Sequence, residues 1–576
     1  MVAECTNVPF VLMQNTNAWQ RHCLIANDER PSCLSEVTND ESYMQYLDKE
    51  HDLSMVECNV LKEMTQVEAP KRKTAKRSRK SLRPCCFDQQ GQLQHLEPKK
   101  TLWYLAYAIS EPECPKLRDK FRRRFRLPHK ECTELLGRVK LDERFGRWQR
   151  SDATGTPSSP IELLLLGAMR YLGRGIMFDD LEEFTAIGEE THRQFFHVFV
   201  DFGRDVLFPM YIKMPTTAAE FETHMSEFNT GCLPGAGFST DATNILLWRC
   251  THNLKQAHIG FKDTHPARTY NLTCNHRHQI LHTTTGNCAR WNDKTLAIHD
   301  DFMCGIHEGK ILQDVKFKML EWEGCVGKSA IVKVKYRGAW GLVDNGYHRW
   351  PSTQAPSKLT NWLPEKRLSD WIESFRKDSE CVFGILKGRF RLLKTGIHLE
   401  GPHVADSIWL TCCALHNWLL EVDGLDGKWE GELGNNDKAD FREAPKAMRR
   451  LNNPEIESFG SRQHELEAQE RRLLSGNNRP QPADDENPEF EAANHEQRVD
   501  NEGAIFVNSL SYQDFRSRLV THFDIQHRRR KIVWPTRHRN KKNDTQCCLF
   551  FYFSLIIMLF NNHSYRIHHE CSCQKH

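Results

Sequence analysis

Three carboxylates in unlike settings are the residues of this chain best placed to do chemistry. Asp241 stands inside a β-branched run, Phe238-Ser239-Thr240-Asp241-Ala242-Thr243-Asn244-Ile245. Asp is depleted in strands, so one there marks a turn, a cap or a site. Asp344 closes the apolar run Ala339-Trp340-Gly341-Leu342-Val343, and Glu380 begins Glu380-Cys381-Val382-Phe383-Gly384-Ile385-Leu386-Lys387-Gly388-Arg389-Phe390. Together they offer the hard oxygen ligands that divalent cations take near neutral pH.

The run ending at Asp344 reads as a short buried strand, and the one from Glu380 as an amphipathic helix beginning near its acid. At about 100° per residue, Glu380, Gly384, Lys387 and Arg391 share one face, with Val382, Ile385 and Leu386 opposite. Gly384 lets a ligand approach the backbone, while Lys387 and Arg391 neutralise phosphate charge. A solvated helix face gives the same pattern. The acids upstream are what favour a site.

The stretch from Asp241 to Leu420 resembles the PIF/Harbinger transposases and Harbinger-derived nucleases, with weaker likeness back to about Lys116. The resemblance is carried, in order, by Ser239-Thr240-Asp241-Ala242-Thr243, Arg268-Thr269-Tyr270-Asn271, Gln279-Ile280-Leu281-His282-Thr283-Thr284, Arg290-Trp291-Asn292-Asp293, Val343-Asp344-Asn345-Gly346-Tyr347, Glu380 to Arg391, and Ala414-Leu415-His416-Asn417. The 35 residues between Asp344 and Glu380 match the separation of the last two acids in DDE-type recombinases. The resemblance implies an RNase H-like α/β fold with Asp241, Asp344 and Glu380 as catalytic metal ligands and Asp293 as a further metal acid. It also implies Mg²⁺ or Mn²⁺ as cofactor, terminal inverted repeats as DNA substrate, a Myb-like partner protein and a homodimer. Two positions depart from the family: Asn244 stands where His is frequent, and Gly286-Asn287-Cys288-Ala289 lacks the usual Gly-Pro.

At 576 residues the chain exceeds one ordinary domain. Its net charge of +3 says nothing about nucleic acid. The distribution does: bases cluster at 71–83, 116–126 and 528–542, and acids between 421 and 502. The 21 cysteines are scattered, without zinc-finger spacing or a secretory leader, which suits reduced thiols in a nuclear or cytosolic protein.

Residues 1–100 read as a disordered basic arm whose Lys71–Lys80 run suits nuclear import, placing the protein in the nucleus. A merely solubilising run is the alternative. Residues 101–230 read as an all-α, helix-turn-helix-like DNA-binding region. It contains Phe121 and Phe125 among Arg122, Arg123 and Arg124, a buried helix from Ile161 after Ser158-Ser159-Pro160, and a last helix carrying His192, Arg193, Gln194 and His197. Simple helical packing accounts for it equally well. In 231–425 three β runs precede a helix, another strand and later helices, which indicates a mixed sheet with flanking helices. Lys387, Arg389, Arg391, Arg193 and Arg122 to Arg124 are its candidate DNA contacts. Gly327-Lys328-Ser329 lacks the first Gly of a phosphate loop, because position 322 is Trp. His276 and His278 read as polar residues near a turn, and His416 as packing. An acidic disordered linker follows at 426–505, with one helix expected at Arg462–Leu474, then a basic segment at 506–546. The apolar run in 547–576 is too short to span a bilayer comfortably, so no membrane is expected.

Two other classes compete with a metal-dependent nuclease. One is a captured, catalytically inactive transposase that still binds DNA; the other is a nuclear interaction protein working through its acidic linker. Metal binding separates the first from the enzyme, and DNA affinity separates the second.

Overall fold

The computed structural model describes residues 97–425 apart from gaps at 110, 152–154, 156, 261–263, 324–329 and 358–359, together with 85–87, 93–95, 448, 451 and 497–535. The Lys71–Lys80 run, the 462–474 helix and the 547–576 tail lie outside the described residues. So does most of the acidic stretch.

The N-terminal helices form because apolar residues recur at helical spacing. They are α1 (Pro115–Phe125), α2 (His129–Leu141), α3 (Ile161–Arg174), α4 (Phe178–Thr185), α5 (Glu189–Phe202) and α6 (Ala218–Thr230). α3 ends where Gly175 turns left-handed, at φ 65°, a conformation that costs glycine least. Phe121 and Phe125 of α1 are fully buried. Phe195, Phe196 and Phe199 of α5 are too, each such side chain stabilising the fold by roughly 1.5–3 kcal/mol. Their core is continuous with that of the following sheet, through Tyr270, Leu272 and Trp409.

The sheet begins with β1 (Ala236–Leu246), β2 (Ala267–Cys274), β3 (Ile280–Thr283) and the short β4 (Asn287–Cys288). After α7 (Asp293–Ile298) and α8 (Asp301–His307), a hairpin of β5 (Lys316–Glu323) and β6 (Ala330–Arg337) leaves the sheet. The chain returns through β7 (Trp340–Leu342) and β8 (Thr353–Gln354). The strand order is β8-β7-β1-β2-β3, with β4 paired to β2. β1 and β3 each run antiparallel to β2, and β7 and β8 run parallel to β1. Three antiparallel strands followed by two parallel to the first make the RNase H-like mixed sheet, flanked by helices on both faces. Side chains alternate accordingly: Ile280 faces the helical core, and its neighbour Leu281 packs with Phe302 on the other side.

Three helices close the domain: α9 (Leu363–Arg389), α10 (Arg391–Thr395) and α11 (Pro402–Val422). α9 starts at Leu363-Pro364, well before Glu380, so the pattern read from the sequence covers only about its last third. It stops at Phe390, whose φ −109° and ψ 86° leave helical space. Arg391 therefore does not continue the face of Glu380 and Lys387. β9 (Ile505–Phe506), parallel to β6, straddles the boundary drawn in the sequence between the 426–505 linker and the 506–546 segment, and the latter supplies α12 (Tyr512–Arg528). Phe515 and Phe523 of α12 pack with Trp340 and Trp371, which ties the C-terminal segment to β7 and α9. No helix among the described residues is long and apolar enough to cross a membrane.

Candidate active site

Asp241 sits in the middle of β1, opposite Leu272 of β2. A strand aspartate needs a partner for its charge. Its Oδ1 accepts the Ala242 N–H at 2.8 Å, and its Oδ2 lies 3.4 Å from a guanidinium nitrogen of Arg376. Burial raises its carboxyl to about 6; that backbone bond and Arg376 oppose the rise, while the charges of Asp344 and Glu380 add to it. Both acids thus lie near enough for their charges to act on Asp241.

Asp344 lies two residues past β7, in a turn where its Oδ1 accepts the Asn345 N–H at 2.7 Å. Tyr347 fastens that turn to the sheet. Its buried hydroxyl donates to Asn271 Oδ1 at 2.6 Å, and Asn271 Nδ2 donates to Asp300 Oδ2 at 2.6 Å. Asp300 in turn accepts the Phe302 and Met303 N–H groups at the start of α8. Burial raises the Tyr347 pKa, and the charges of Asp241, Asp293, Asp300 and Asp344 raise it further. Asp293, in the first turn of α7, thus reaches the same neighbourhood. A Cβ on residue 346 would overlap its carboxylate, so Gly346 is what allows α7 against this turn.

Glu380 projects from α9 beside Arg376, the residue one turn earlier. The Arg376 Nη2 donates to Glu380 Oε1 at 2.7 Å and to Glu373 Oε1 at 2.9 Å, and its Nε donates to Glu373 Oε2 at 3.0 Å. Burial opposes the charge on this guanidinium, but Glu373, Glu380 and Asp241 outweigh it and raise its pKa. The Arg376 side chain is only 8% exposed, against 51% for Glu380 and 21% for Asp241. A cation already lies between the first and third acids of the site.

The donor set therefore suits a hard divalent ion in type and charge. Among the described residues, however, no three His, Cys, Asp or Glu side chains form a metal-holding group. Asp241, Asp344 and Glu380 share a neighbourhood in which a guanidinium bridges two of them.

The basic candidates divide. Lys387 lies along β1, its Nζ donating to Thr243 Oγ1 at 2.7 Å and to the Asn244 carbonyl at 3.2 Å. Asn244 itself accepts from Thr269 Oγ1 at 2.6 Å. Arg389 turns away, toward the buried imidazole of His416 at 3.3 Å. Burial lowers that imidazole to about 3, and its Nε2 contacts the His278 carbonyl, so His416 serves packing. Arg122 is spent on Asp423, at 2.5 and 2.8 Å, and Arg124 on the Tyr107 hydroxyl at 2.8 Å. Arg123 and Arg391 are exposed.

The helix expected to read bases is buried along one face. His192 is 2% exposed and bonded to Thr185 Oγ1 at 2.7 Å, Arg193 pairs with Glu189 and Glu190, and Gln194 bonds Glu190 and Arg147. Burial lowers the His192 imidazole to about 4. It is out of reach of DNA because its face of α5 packs on α3.

Two residues of the site carry no mark in the sequence reading, Arg376 and Asp378, while Asn271 and Tyr347 stand there only as parts of the family motifs. For Arg376 the signal was available, since a base one turn before a helical acid falls on the same face. Asp378 has no such signal. It accepts from His276 Nδ1 at 2.7 Å and lies 3.5 Å from His278 Nε2, pinning the β2–β3 turn to α9. Burial works against the His278 charge, yet Asp378 and Cys381 raise its pKa to about 10. These histidines orient α9, and with it Glu380.

Comparison with curated proteins and with solved structures gave no significant match. Residues 240–417 match the family model of the DDE superfamily endonucleases, less than a third of the chain but a span that holds all three acids and their sheet. That match, on a mixed sheet of this topology, supports a transposase-like DDE nuclease domain at 240–417.

Proposed function

We propose that this chain is a divalent-metal-dependent DNA endonuclease of the transposase type, cutting and joining phosphodiester bonds at transposon ends. The observation that carries the proposal is that the 240–417 span matching the DDE superfamily endonucleases brings Glu380 of α9 beside Asp241 of β1, with the charge of Asp344, after β7, also acting on Asp241. Mg²⁺ or Mn²⁺ held by these carboxylates, with Asp293 beside them, would supply Lewis-acid stabilisation of the phosphate and activation of water or a 3′-hydroxyl. Asp241 gives up its proton at about 6, so it is ionised at neutral pH. The Asn345 N–H, Tyr347 and Asn271 keep the Asp344 turn in place, and Lys387 sets a positive charge beside the same strand.

In this reading the substrate is a pair of terminal inverted repeats, the compartment is the nucleus, and a Myb-like partner and homodimer complete the assembly. The motif likeness to PIF/Harbinger proteins supports these finer points. A second reading, an inactive captured transposase that binds DNA, is favoured by one specific observation: the Arg376 guanidinium bridges Asp241 and Glu380.

Calorimetric titration of the full chain with Mn²⁺ separates the two. The enzyme binds Mn²⁺ and loses it in Asp344→Asn. Absence of Mn²⁺ binding in the parent chain supports the inactive reading.

A further inference from the structure

Six arginines lie on elements that converge where α3 packs on α10: Arg124 and Arg126 at the end of α1, Arg170 and Arg174 in α3, and Arg389 and Arg391 at the α9–α10 junction. The elements touch closely, Gly175 lying against Thr395 and Leu392. Burial, together with the charges of Arg174, Arg170, Arg389 and Arg391, holds the Arg126 guanidinium down to about 10. Arg170 is lowered by burial and then by Arg174 and Arg124, with no carboxylate acting on it. Among the described residues, none of Arg126, Arg170, Arg174 and Arg391 has an ion-pair partner, and the buried Nε and Nη1 of Arg170 have no hydrogen-bond acceptor.

Helix geometry explains part of this. Arg126 donates to the Gly173 carbonyl at 3.2 and 2.9 Å, and bases near helix carboxyl ends are favoured by the dipole. It does not explain Arg170, whose two buried N–H groups have given up water and gained no acceptor. Nor does it explain four unpaired guanidinium groups held together. An anion at this junction would relieve the repulsion and accept the buried N–H groups.

The junction also lies in line with the carboxylates. α9 runs beside β1 from Glu380, near Asp241, to Lys387, which bonds Thr243 and Asn244. Past it, Leu247 bridges to Ile397 and Trp248 Nε1 bonds the Thr395 carbonyl. From Glu380 to the end of α9 is roughly 14 Å at the rise of a helix. That is about four base pairs of duplex.

We propose that this junction is a phosphate site that seats the backbone of duplex DNA about four base pairs from the bond being cut, with Arg170, Arg174 and Arg391 as its ligands. The assignment rests on the nuclease reading above. Arg122, neutralised by Asp423, stands outside it.

The test uses the full chain with Arg170→Gln and, separately, the exposed pair Arg174→Gln/Arg391→Gln. A fluorescent 30-base-pair duplex is titrated by anisotropy at several salt concentrations, beside thermal melting without DNA. Each lost phosphate contact should weaken binding on the order of five- to tenfold near 0.1 M salt and lower the salt slope by about 0.9. Melting temperature should hold or rise, because repulsion has been relieved. A structural role would instead lower the melting temperature of Arg170→Gln and spare the DNA affinity of the exposed pair, which overturns the proposal. Displacement of the duplex by poly-glutamate at equal charge overturns the assignment to phosphate. Failure of the parent chain to bind duplex at all overturns the nuclease reading itself, a result distinguishable from variants that bind as the parent does.

Discussion

Replacing Arg376 by Gln should tighten divalent-metal binding while weakening the metal-free fold. In the parent, the guanidinium lies 3.4 Å from Asp241 and 2.7 Å from Glu380, and two bonds to Glu373 keep it there. A doubly charged ion entering between those acids would meet its charge at roughly 5 Å, a repulsion of about 2 kcal/mol at a dielectric near that of water. The watery value is the appropriate one because Glu380 is 51% exposed. Arg376→Gln should therefore lower the Kd for Mn²⁺ on the order of fifteen- to thirtyfold. Without metal, Asp241 and Glu380 would face each other unneutralised, so the melting temperature should fall, and Mn²⁺ should restore it by more than it raises that of the parent. Calorimetry and melting with and without Mn²⁺ read both effects. An unchanged or weaker Kd would refute the reasoning, because Arg376 would then be holding Glu380 in its binding posture rather than standing in for the ion.

Other perturbations test separate parts of the site. Asp241 is held at about 6, above the ordinary 3.8, so its contribution to the metal-free fold is present below about pH 4 and lost as the pH rises through 6. Metal needs the ionised form, so Mn²⁺ affinity should be flat above pH 7 and fall toward tenfold per unit below 6, as titrations at stepped pH will show. Tyr347→Phe leaves Asn271 Oδ1 without its donor, which should cost about 1–2 kcal/mol in urea denaturation and slow cleavage several-fold by loosening the Asp344 turn. Asp378→Asn should destabilise the fold by about 3 kcal/mol at pH 7, since it strips the charge partner from His278 and the acceptor from buried His276. The His278 share of that stability is present below pH 6.5 and lost as pH rises through about 10, so the gap between variant and parent should narrow at alkaline pH.

What the sequence discloses here is local and covalent. A strand interior tolerates an aspartate for few reasons, so Asp241 was legible from its own neighbours, as was Asp344 at the end of an apolar run. The buried character of the helix from Ile161 was likewise plain in the apolar run Leu163-Leu164-Leu165-Leu166. Tertiary decisions were not. His192 looks like a polar residue on a solvent face, and only the packing of α5 on α3 removes it from water. Arg391 falls on the face of Glu380 by periodicity, but Phe390 ends the helix first. β9 is two residues long and pairs with a strand far back in the chain, so no periodic signal could announce it. Asp378 and Arg376 resemble any helical surface charges until their partners on β1 and in the β2–β3 turn are seen.

The most direct test of the central claim is Mg²⁺- or Mn²⁺-dependent nicking of labelled duplex DNA by the full chain, beside Asp241→Asn, Asp344→Asn and Glu380→Gln. The account predicts cleavage by the parent that disappears with chelator and in all three variants. Salt-sensitive DNA binding with no cleavage, even on inverted-repeat substrate with partner protein supplied, would contradict it and leave a DNA-binding protein built on a nuclease fold.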